Sequence, residues 1–268
     1  MLMPSATPAP LPPPGAPRIL SVSELIGLWE QADRQHPLTR ALHLLAASPG
    51  DSCRAVTLDE PDLAQLAQMP VGERNRRLMG LFAANFGNQL ACESRCPDCA
   101  EPVEFTLDLG RILDERPGEE APYQAEIDGF AVRFRLPTTL DLLAVARCGS
   151  AGSGRVLLFE RCILEARCDG AAVTTAELPA SVLTKLAGRM NDCDPHAETR
   201  VRLACPACEA EWRTMVDIAE LLWTRVAQRA RQTAQEVHVL AWAYGWHEAD
   251  ILAMSDTRRS LYLTMVDP

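Results

Sequence analysis

The sequence contains the same cysteine motif twice, and this duplication constrains the fold more than any other feature. The first copy reads CPDC at 96–99 and the second reads CPAC at 205–208. Ten residues follow each copy in register without a gap, so that Asp108 corresponds to Asp217. A C-x-x-C turn directs two thiolates at one metal ion, and tetrahedral zinc needs four ligands. The two copies therefore predict one structural zinc site, with the ligands Cys96, Cys99, Cys205 and Cys208.

The residues after each motif alternate between apolar and polar side chains, which is typical of a half-buried strand. In the first copy the apolar positions are Val103, Phe105 and Leu107, and in the second the alternation runs over 212–218. Two cysteine turns that each lead into a strand form a zinc ribbon. Because 105 residues lie between Cys99 and Cys205, we expect the two halves of this ribbon to be separated by a large insertion.

Disulfide bonds and redox chemistry are the alternative uses of these cysteines. The chain has 10 cysteines in 268 residues, which is sparse for a disulfide-stapled secreted domain, and no signal peptide pattern is visible. A redox C-x-x-C needs a thioredoxin-like setting, which would hardly recur in register. Cys92 could add a ligand, but the second copy has Val201 there. The cysteines without a pairing rhythm are expected to act as small apolar residues: Cys53, Cys148, Cys162, Cys168 and Cys193.

Composition and charge exclude several classes of protein. No stretch approaches 18 uncharged apolar residues, so no membrane span is expected. The net charge of -10 disfavours nucleic-acid binding, which depends on Lys and Arg. No nucleophile elbow, zinc-protease motif, phosphate loop or dinucleotide fingerprint is present, so we expect neither an enzyme nor a small-molecule substrate. The segment 92–128 has 11 acidic residues and 3 Arg. This acidity indicates either a solvated face or a docking surface for a basic partner.

The fold class expected from the periodicities is α+β, with a mostly helical body, the split ribbon and short antiparallel β-hairpins. Asp128-Gly129 between alternating segments predicts a hairpin over 123–136, whereas the glycine-rich run 149–154 predicts a flexible break. A helix carrying Val156 is expected to continue through Ile163 and Leu164. Four parts are predicted: a disordered Pro-rich leader at 1–17, an N-terminal helical segment at 18–87, the split ribbon with its insertion at 88–218, and a C-terminal helical segment at 219–268.

The C-terminal part contains further distinctive residues. The run EVHVLAWAYGWHEADILAMSDTRRSLYLTMV, together with DPHAETRVRLACPACEAEWRTMVDIAELLW, resembles a family encoded in operons for contractile phage tails and extracellular contractile injection systems. That family is related to the T-even phage baseplate hub and hub-assembly proteins. The resemblance covers roughly 96–266, is densest after Asp194, and rests on these positions: Cys205, Cys208, Trp212, Asp217, Glu236, His238, Tyr244, Gly245, Trp246, Ile251, Leu252, Arg258, Arg259 and Tyr262.

The resemblance implies a baseplate component or assembly factor with baseplate, hub or tail-tube proteins as partners. It would assemble in the cytoplasm and could be incorporated in the particle. Trp, Tyr and Arg most often supply the binding energy of interfaces, so we expect the docking residues to be Trp242, Tyr244, Trp246, Arg258, Arg259 and Tyr262. The alternative is a zinc-ribbon regulator that binds nucleic acid, in which 244–262 would form a helix-turn-helix and Arg258 and Arg259 would contact DNA.

Overall fold

The computed structural model describes residues 18–47, 60–114 and 122–266. The predictions for the leader 1–17 and for Cys53 lie outside these ranges. Within them, the chain has the α+β class expected from its sequence, with helices dominating and all strand pairs antiparallel. No helix in the described ranges has the length and apolar character needed to cross a membrane.

Four helices form the N-terminal segment: α1 (Val22–Ala32), α2 (Pro37–Ala46), α3 (Glu60–Leu66) and α4 (Val71–Phe86). Helix α1 begins with a capping box, in which Ser21 accepts from the Glu24 N–H and the Glu24 carboxylate accepts from Ser21. Helix α2 begins at Pro37. Proline is favoured at this position because an N–H in the first turn would have no partner within the helix, so its absence costs nothing. Helix α4 ends at Gly87, which has φ +87°.

The two cysteine motifs lie in two copies of one hairpin. Strands β1 (Gln89–Arg95) and β2 (Pro102–Asp108) form the first, and β7 (Thr199–Ala204) and β8 (Glu211–Val216) form the second. A helix follows each hairpin: the short α5 (Leu109–Leu113) and the long α9 (Ile218–Tyr244). The corresponding residues Asp108 and Asp217 cap these helices, because their carboxylates accept backbone N–H groups of the first turn.

The insertion has its own sheet, in the order β3-β4-β5-β6. The predicted hairpin is present, with β3 (Tyr123–Ile127) and β4 (Phe130–Phe134) joined at Asp128 and Gly129, both with positive φ. Residues of this sheet and of the helices beside it form a second apolar core, separate from the larger one. The other elements of the insertion are α6 (Thr139–Val145), α7 (Ala151–Cys162), β5 (Ile163–Cys168), β6 (Ala171–Ala172), a 3₁₀ turn (Thr175–Glu177) and α8 (Ala180–Cys193).

Two predictions for the insertion were wrong. The run 149–154 is not a flexible break, because Ser150 caps α7 by accepting the Ser153 N–H, and Gly154 lies inside the helix. A Cβ at Gly154 would lie 2.9 Å from Val145 Cγ1, so this glycine allows α7 to pack closely on α6. Ile163 and Leu164 belong to β5 and not to the helix before it. Pairing with β4 decides their conformation, and it is a contact that helical periodicity does not reveal.

The larger core surrounds α9, which packs against α1, α2, α4 and the two short C-terminal helices α10 (Glu248–Leu252) and α11 (Asp256–Val266). This core joins Leu25 of α1, Leu107 of the first hairpin and Leu222 of α9, which belong to three of the four parts predicted from the sequence. The division of the chain into four parts stays a prediction, and one apolar cluster contains residues from three of these parts.

A buried carboxylate connects α4 to the end of α8. Asp194 Oδ2 accepts the Gly72 N–H at 3.0 Å, in the first turn of α4, and Pro70 provides no side-chain cap there. Burial raises the pKa of Asp194, and the bond from Gly72 opposes that rise. A Cβ at Gly72 would lie 1.6 Å from Asp194 Oδ1. Only glycine therefore allows this contact between segments that are distant in sequence.

We expect Gly72→Ala to lower the free energy of unfolding by about 1–3 kcal/mol, because overpacking displaces the buried carboxylate from its donor. Urea unfolding followed by circular dichroism measures the change. Gly188→Ala is the matched control, since no atom lies within 4 Å of a Cβ at this position in α8. The control should stabilise the chain slightly through helix propensity. Equal stability of the two variants would contradict the proposed role of the contact.

Candidate metal centre

The two cysteine turns have the same backbone hydrogen bonds. In the first, the Cys96 N–H donates to Glu101 O and the Ala100 N–H donates to Cys96 O, both at 2.9 Å. In the second, the Cys205 N–H donates to Ala210 O and the Glu209 N–H donates to Cys205 O, at 2.9 and 3.0 Å. Each turn closes one hairpin, between β1 and β2 or between β7 and β8. The fold therefore presents two equivalent pairs of thiols.

The structure brings the four predicted cysteines together. Their Sγ atoms all lie within 4.8 Å of one another. Cys96 Sγ lies 3.6 Å from Cys208 Sγ, and Cys99 Sγ lies 3.5 Å from Cys205 Sγ. Four sulfurs at about 2.3 Å from a central zinc ion would be roughly 3.8 Å apart in a tetrahedron, whereas a disulfide requires about 2.05 Å. The donor set and its spacing fit a zinc ion, and none of these thiols is in a disulfide.

The electrostatics of the cluster also favour a cation. Burial raises the pKa of the Cys205 thiol, but the backbone N–H groups of Ala207 and Cys208 outweigh it, and the pKa falls to about 7. The Ala210 N–H lowers the pKa of Cys208, yet the other three thiols oppose this and raise it to about 12. Four thiolates at this spacing repel one another, so a divalent cation is needed for all four to be ionised together.

The residue after each cysteine turn adopts the left-handed conformation. Ala100 has φ +62° and Glu209, at the corresponding position, has φ +61°. A side chain at such a φ costs roughly 1–2 kcal/mol. The turns thus form without the glycine that would adopt this conformation most easily, and the repeated hydrogen bonds hold both residues there.

Glu209→Gly should therefore stabilise the chain, by about 0.5–1 kcal/mol, because relief of the left-handed strain exceeds the entropy that glycine loses on folding. Thermal unfolding of the purified protein tests this. Ala207→Gly in the same turn is the control, since Ala207 does not have a positive φ. It should destabilise, and a loss of stability in both variants would contradict the strain argument.

The other described cysteines lie away from the cluster. Cys162 and Cys193 are buried in the core of the insertion, and burial raises the pKa of Cys162 to about 11. Cys92 is half-buried on β1 against the larger core, and burial raises its pKa as well. His196 is buried, and the four-cysteine group does not include it. Cys162, Cys193 and Cys92 therefore occupy apolar packing positions.

The predicted docking residues divide into exposed and buried groups. Trp242 is 86% exposed on the last turns of α9. Tyr244 stacks on Trp246 with ring centroids 4.5 Å apart, and Trp246 contacts Tyr262 edge-on at 4.8 Å. The exposed Arg258 lies over the Tyr262 ring at 5.8 Å. Tyr244, Trp246, Arg258 and Tyr262 contact one another, and Trp242 lies two residues before Tyr244 on α9 without a ring contact to them. We use the name C-terminal aromatic face for all five residues: Trp242, Tyr244, Trp246, Arg258 and Tyr262.

Arg259 does not belong to this face, which corrects its assignment as a docking residue. Its side chain is fully buried. Nε donates to Glu236 at 3.0 Å, Nη1 donates to Met254 O at 2.7 Å, and Nη2 bonds Asp256. No local pattern indicates this burial, because Glu236 lies 23 residues before Arg259 in the chain. The helix-turn-helix alternative loses one of its two basic contact residues for the same reason.

A comparison with known families gives one match. A family model described as "T4 bacteriophage base plate protein" matches residues 53–223. This range contains α3, α4, both cysteine turns and the whole insertion, and it ends in α9 at Trp223. The C-terminal run at 236–266, on which part of the resemblance rests, lies beyond the matched range. Helices α3 and α4 lie within the matched range, although the resemblance did not include them. No curated protein and no solved structure matches the chain.

Proposed function

Because the chain belongs to the family of T4 bacteriophage base plate proteins, we propose that it is a non-enzymatic component or assembly factor of the baseplate in a contractile phage tail or contractile injection system. The family match carries this proposal, since it covers more than half of the chain and includes both halves of the ribbon. The partners would be other baseplate, hub or tail-tube proteins. The chain would assemble with them in the cytoplasm.

The proposed metal is a structural zinc ion bound by Cys96, Cys99, Cys205 and Cys208. The spacing and chemistry of the sulfurs support zinc, and four cysteines leave no open position for water or substrate. When bound, the ion would connect the tips of two hairpins separated by the insertion. Its role would be to fix the ribbon relative to α4 and α9, which pack against each other in the larger core.

The C-terminal aromatic face is the surface that we propose docks to a partner. It lies beyond the matched range, and its support is the exposure of Trp242 and Tyr244. Trp246 and Tyr262 are half-buried and contact Tyr244. Leu261 and Met265 on α11 are also exposed, at 53% and 59%, so the C-terminal helices present further apolar area. Trp, Tyr and Arg bury a large area and keep a polar group, which makes them the commonest interface anchors. The partner chemistry that fits is an apolar groove with hydrogen-bond acceptors.

Trp242→Ala should weaken co-purification with the baseplate proteins of the same particle. A truncated interface anchor costs about 2 kcal/mol, which is roughly a 30-fold loss of affinity. Folding should be unchanged, because the side chain is 86% exposed. Val156→Ala, at a 53% exposed position on α7, is the control and should behave as wild type. Unchanged co-purification of Trp242→Ala and Tyr262→Ala would exclude docking by this face.

A further inference from the structure

The two hairpins have opposite charges at corresponding positions. Glu93 and Glu104 lie directly opposite each other across β1 and β2. In the second hairpin the corresponding residues are Arg202 and Arg213, which lie directly opposite each other across β7 and β8. All four side chains are exposed on the outer faces of their hairpins. The duplicated unit has thus kept its backbone register and reversed its charge.

Within the part of the chain that the structure describes, these like charges are largely without partners of opposite charge. Like charges at directly opposed positions destabilise a hairpin. Glu93, Glu104 and Arg213 make no ion pair with any described residue. Arg202 bonds Glu211 at 2.7 Å, but both side chains are mostly exposed, and such pairs contribute little. Each hairpin therefore has an unfavourable arrangement of charge that a partner of opposite charge would relieve.

The cross-strand pairs on either side of these charges also differ between the two hairpins in a complementary way. On the first hairpin, small Ala91 opposes Thr106, and both line a depression of about 540 Å³. The corresponding pair of the second hairpin is the exposed Arg200 and Met215, which is 67% exposed. Nearer the cysteine turns, the first hairpin has Arg95 opposite Pro102, and the second has Glu211 opposite Ala204. The protruding Met215 thus corresponds to a depression, and Arg95 and Glu211 have opposite charges. Arg200 has no acid facing it in these pairs and bonds Glu198 of its own chain.

We propose that the outer face of the first hairpin docks on the outer face of the second hairpin in another copy of this chain. With the cysteine turns at the same end, Glu93 and Glu104 would meet Arg202 and Arg213, and Met215 would enter the depression beside Ala91. A second copy is the occupant because the glutamate pair would meet the arginine pair and Arg95 would meet Glu211, which the shared hairpin geometry makes possible. This contact is head-to-tail, so each copy retains one unused face and the assembly grows into a ring or a filament.

Sedimentation velocity of the full-length chain, at low and high salt, tests the proposal. The wild type should self-associate at low salt and dissociate as salt screens the exposed charges. Glu93→Arg with Glu104→Arg should reduce the association constant by roughly a hundredfold, because like charges then meet across the contact. Arg202→Glu with Arg213→Glu should do the same. An equimolar mixture of the two double variants should associate again, since one presents only basic hairpins and the other only acidic ones.

Two further variants separate docking from folding. Glu93→Arg alone creates a cross-strand ion pair with Glu104, so it should raise the thermal midpoint while weakening self-association. Arg147→Glu with Glu160→Arg, at exposed positions of the insertion, should leave association unchanged. A wild type that stays monomeric at low salt would overturn the proposal. So would double variants that associate like the wild type, or a mixture that stays monomeric.

Discussion

Cys205→Ser should abolish zinc binding and unfold the chain, and this is the largest effect we expect from any single substitution. Structural zinc contributes roughly 10–16 kcal/mol of apparent binding free energy in small domains, whereas a whole domain is stable by about 5–15 kcal/mol. The ligand pairs are separated by 105 intervening residues, so losing the ion removes a link between distant segments. Elemental analysis and a thermal scan by circular dichroism measure both consequences.

Cys168→Ser is the control for this experiment, because Cys168 is half-buried at the end of β5 and outside the four-cysteine cluster. It should retain one zinc ion per chain and the wild-type midpoint. Zinc affinity of the wild type should fall as the pH is lowered, since protons compete with the metal for the thiolates. A well-folded wild-type protein that contains no metal would refute the zinc site.

Features encoded by neighbouring residues could be predicted from the sequence. The cysteine cluster could be predicted because the spacing inside each turn is local and the turn occurs twice. The hairpin at Asp128 and Gly129 needs two residues with positive φ, which this dipeptide provides. The start of α1 follows from Ser21 and Glu24, which complete a capping box within four residues. In each case the interaction that determines the structure lies within a few positions of the chain.

Strand β1 could have been predicted, although its own composition hides it. Gln89–Arg95 has only one large apolar side chain, Leu90, among small and polar residues. Its pattern is therefore weaker than that of β7, where Val201 and Leu203 alternate with polar residues. Alignment of the two cysteine motifs places β1 at the position of β7. Continuing the repeat before the first motif would have identified the strand.

Contacts between distant segments could not be predicted from local pattern. The Asp194 carboxylate bonds Gly72 across 122 residues, and nothing near either residue indicates the other. Gly154 resembles a loop residue in sequence because glycine is common in flexible segments, yet in α7 it allows close contact with Val145. The burial of Arg259 depends on acids from two helices. In all three cases, tertiary packing outweighs the local preference.

Arg259→Ala should destabilise the chain by about 3–5 kcal/mol, because it removes a fully buried side chain together with its packing, its hydrogen bonds and its part in a buried ion pair. Glu236 is only 11% exposed at its side chain and would keep Arg229 as its ion partner, while Met254 O would lose its donor. The packing of α10 and α11 on α9 depends on this network, so amide hydrogen exchange should accelerate most in these two helices.

Arg258→Ala is the matched comparison, one residue away on the same helix. Arg258 is exposed and lies over the Tyr262 ring, so its removal should cost about 0.5–1 kcal/mol. It should instead weaken docking by the C-terminal aromatic face, since Arg258 belongs to that face. Urea unfolding and co-purification with the baseplate proteins separate these effects. The two arginines, which are equivalent in sequence pattern, would thus have opposite phenotypes: Arg259 a structural one and Arg258 a binding one. Equal loss of stability in both variants would contradict this division.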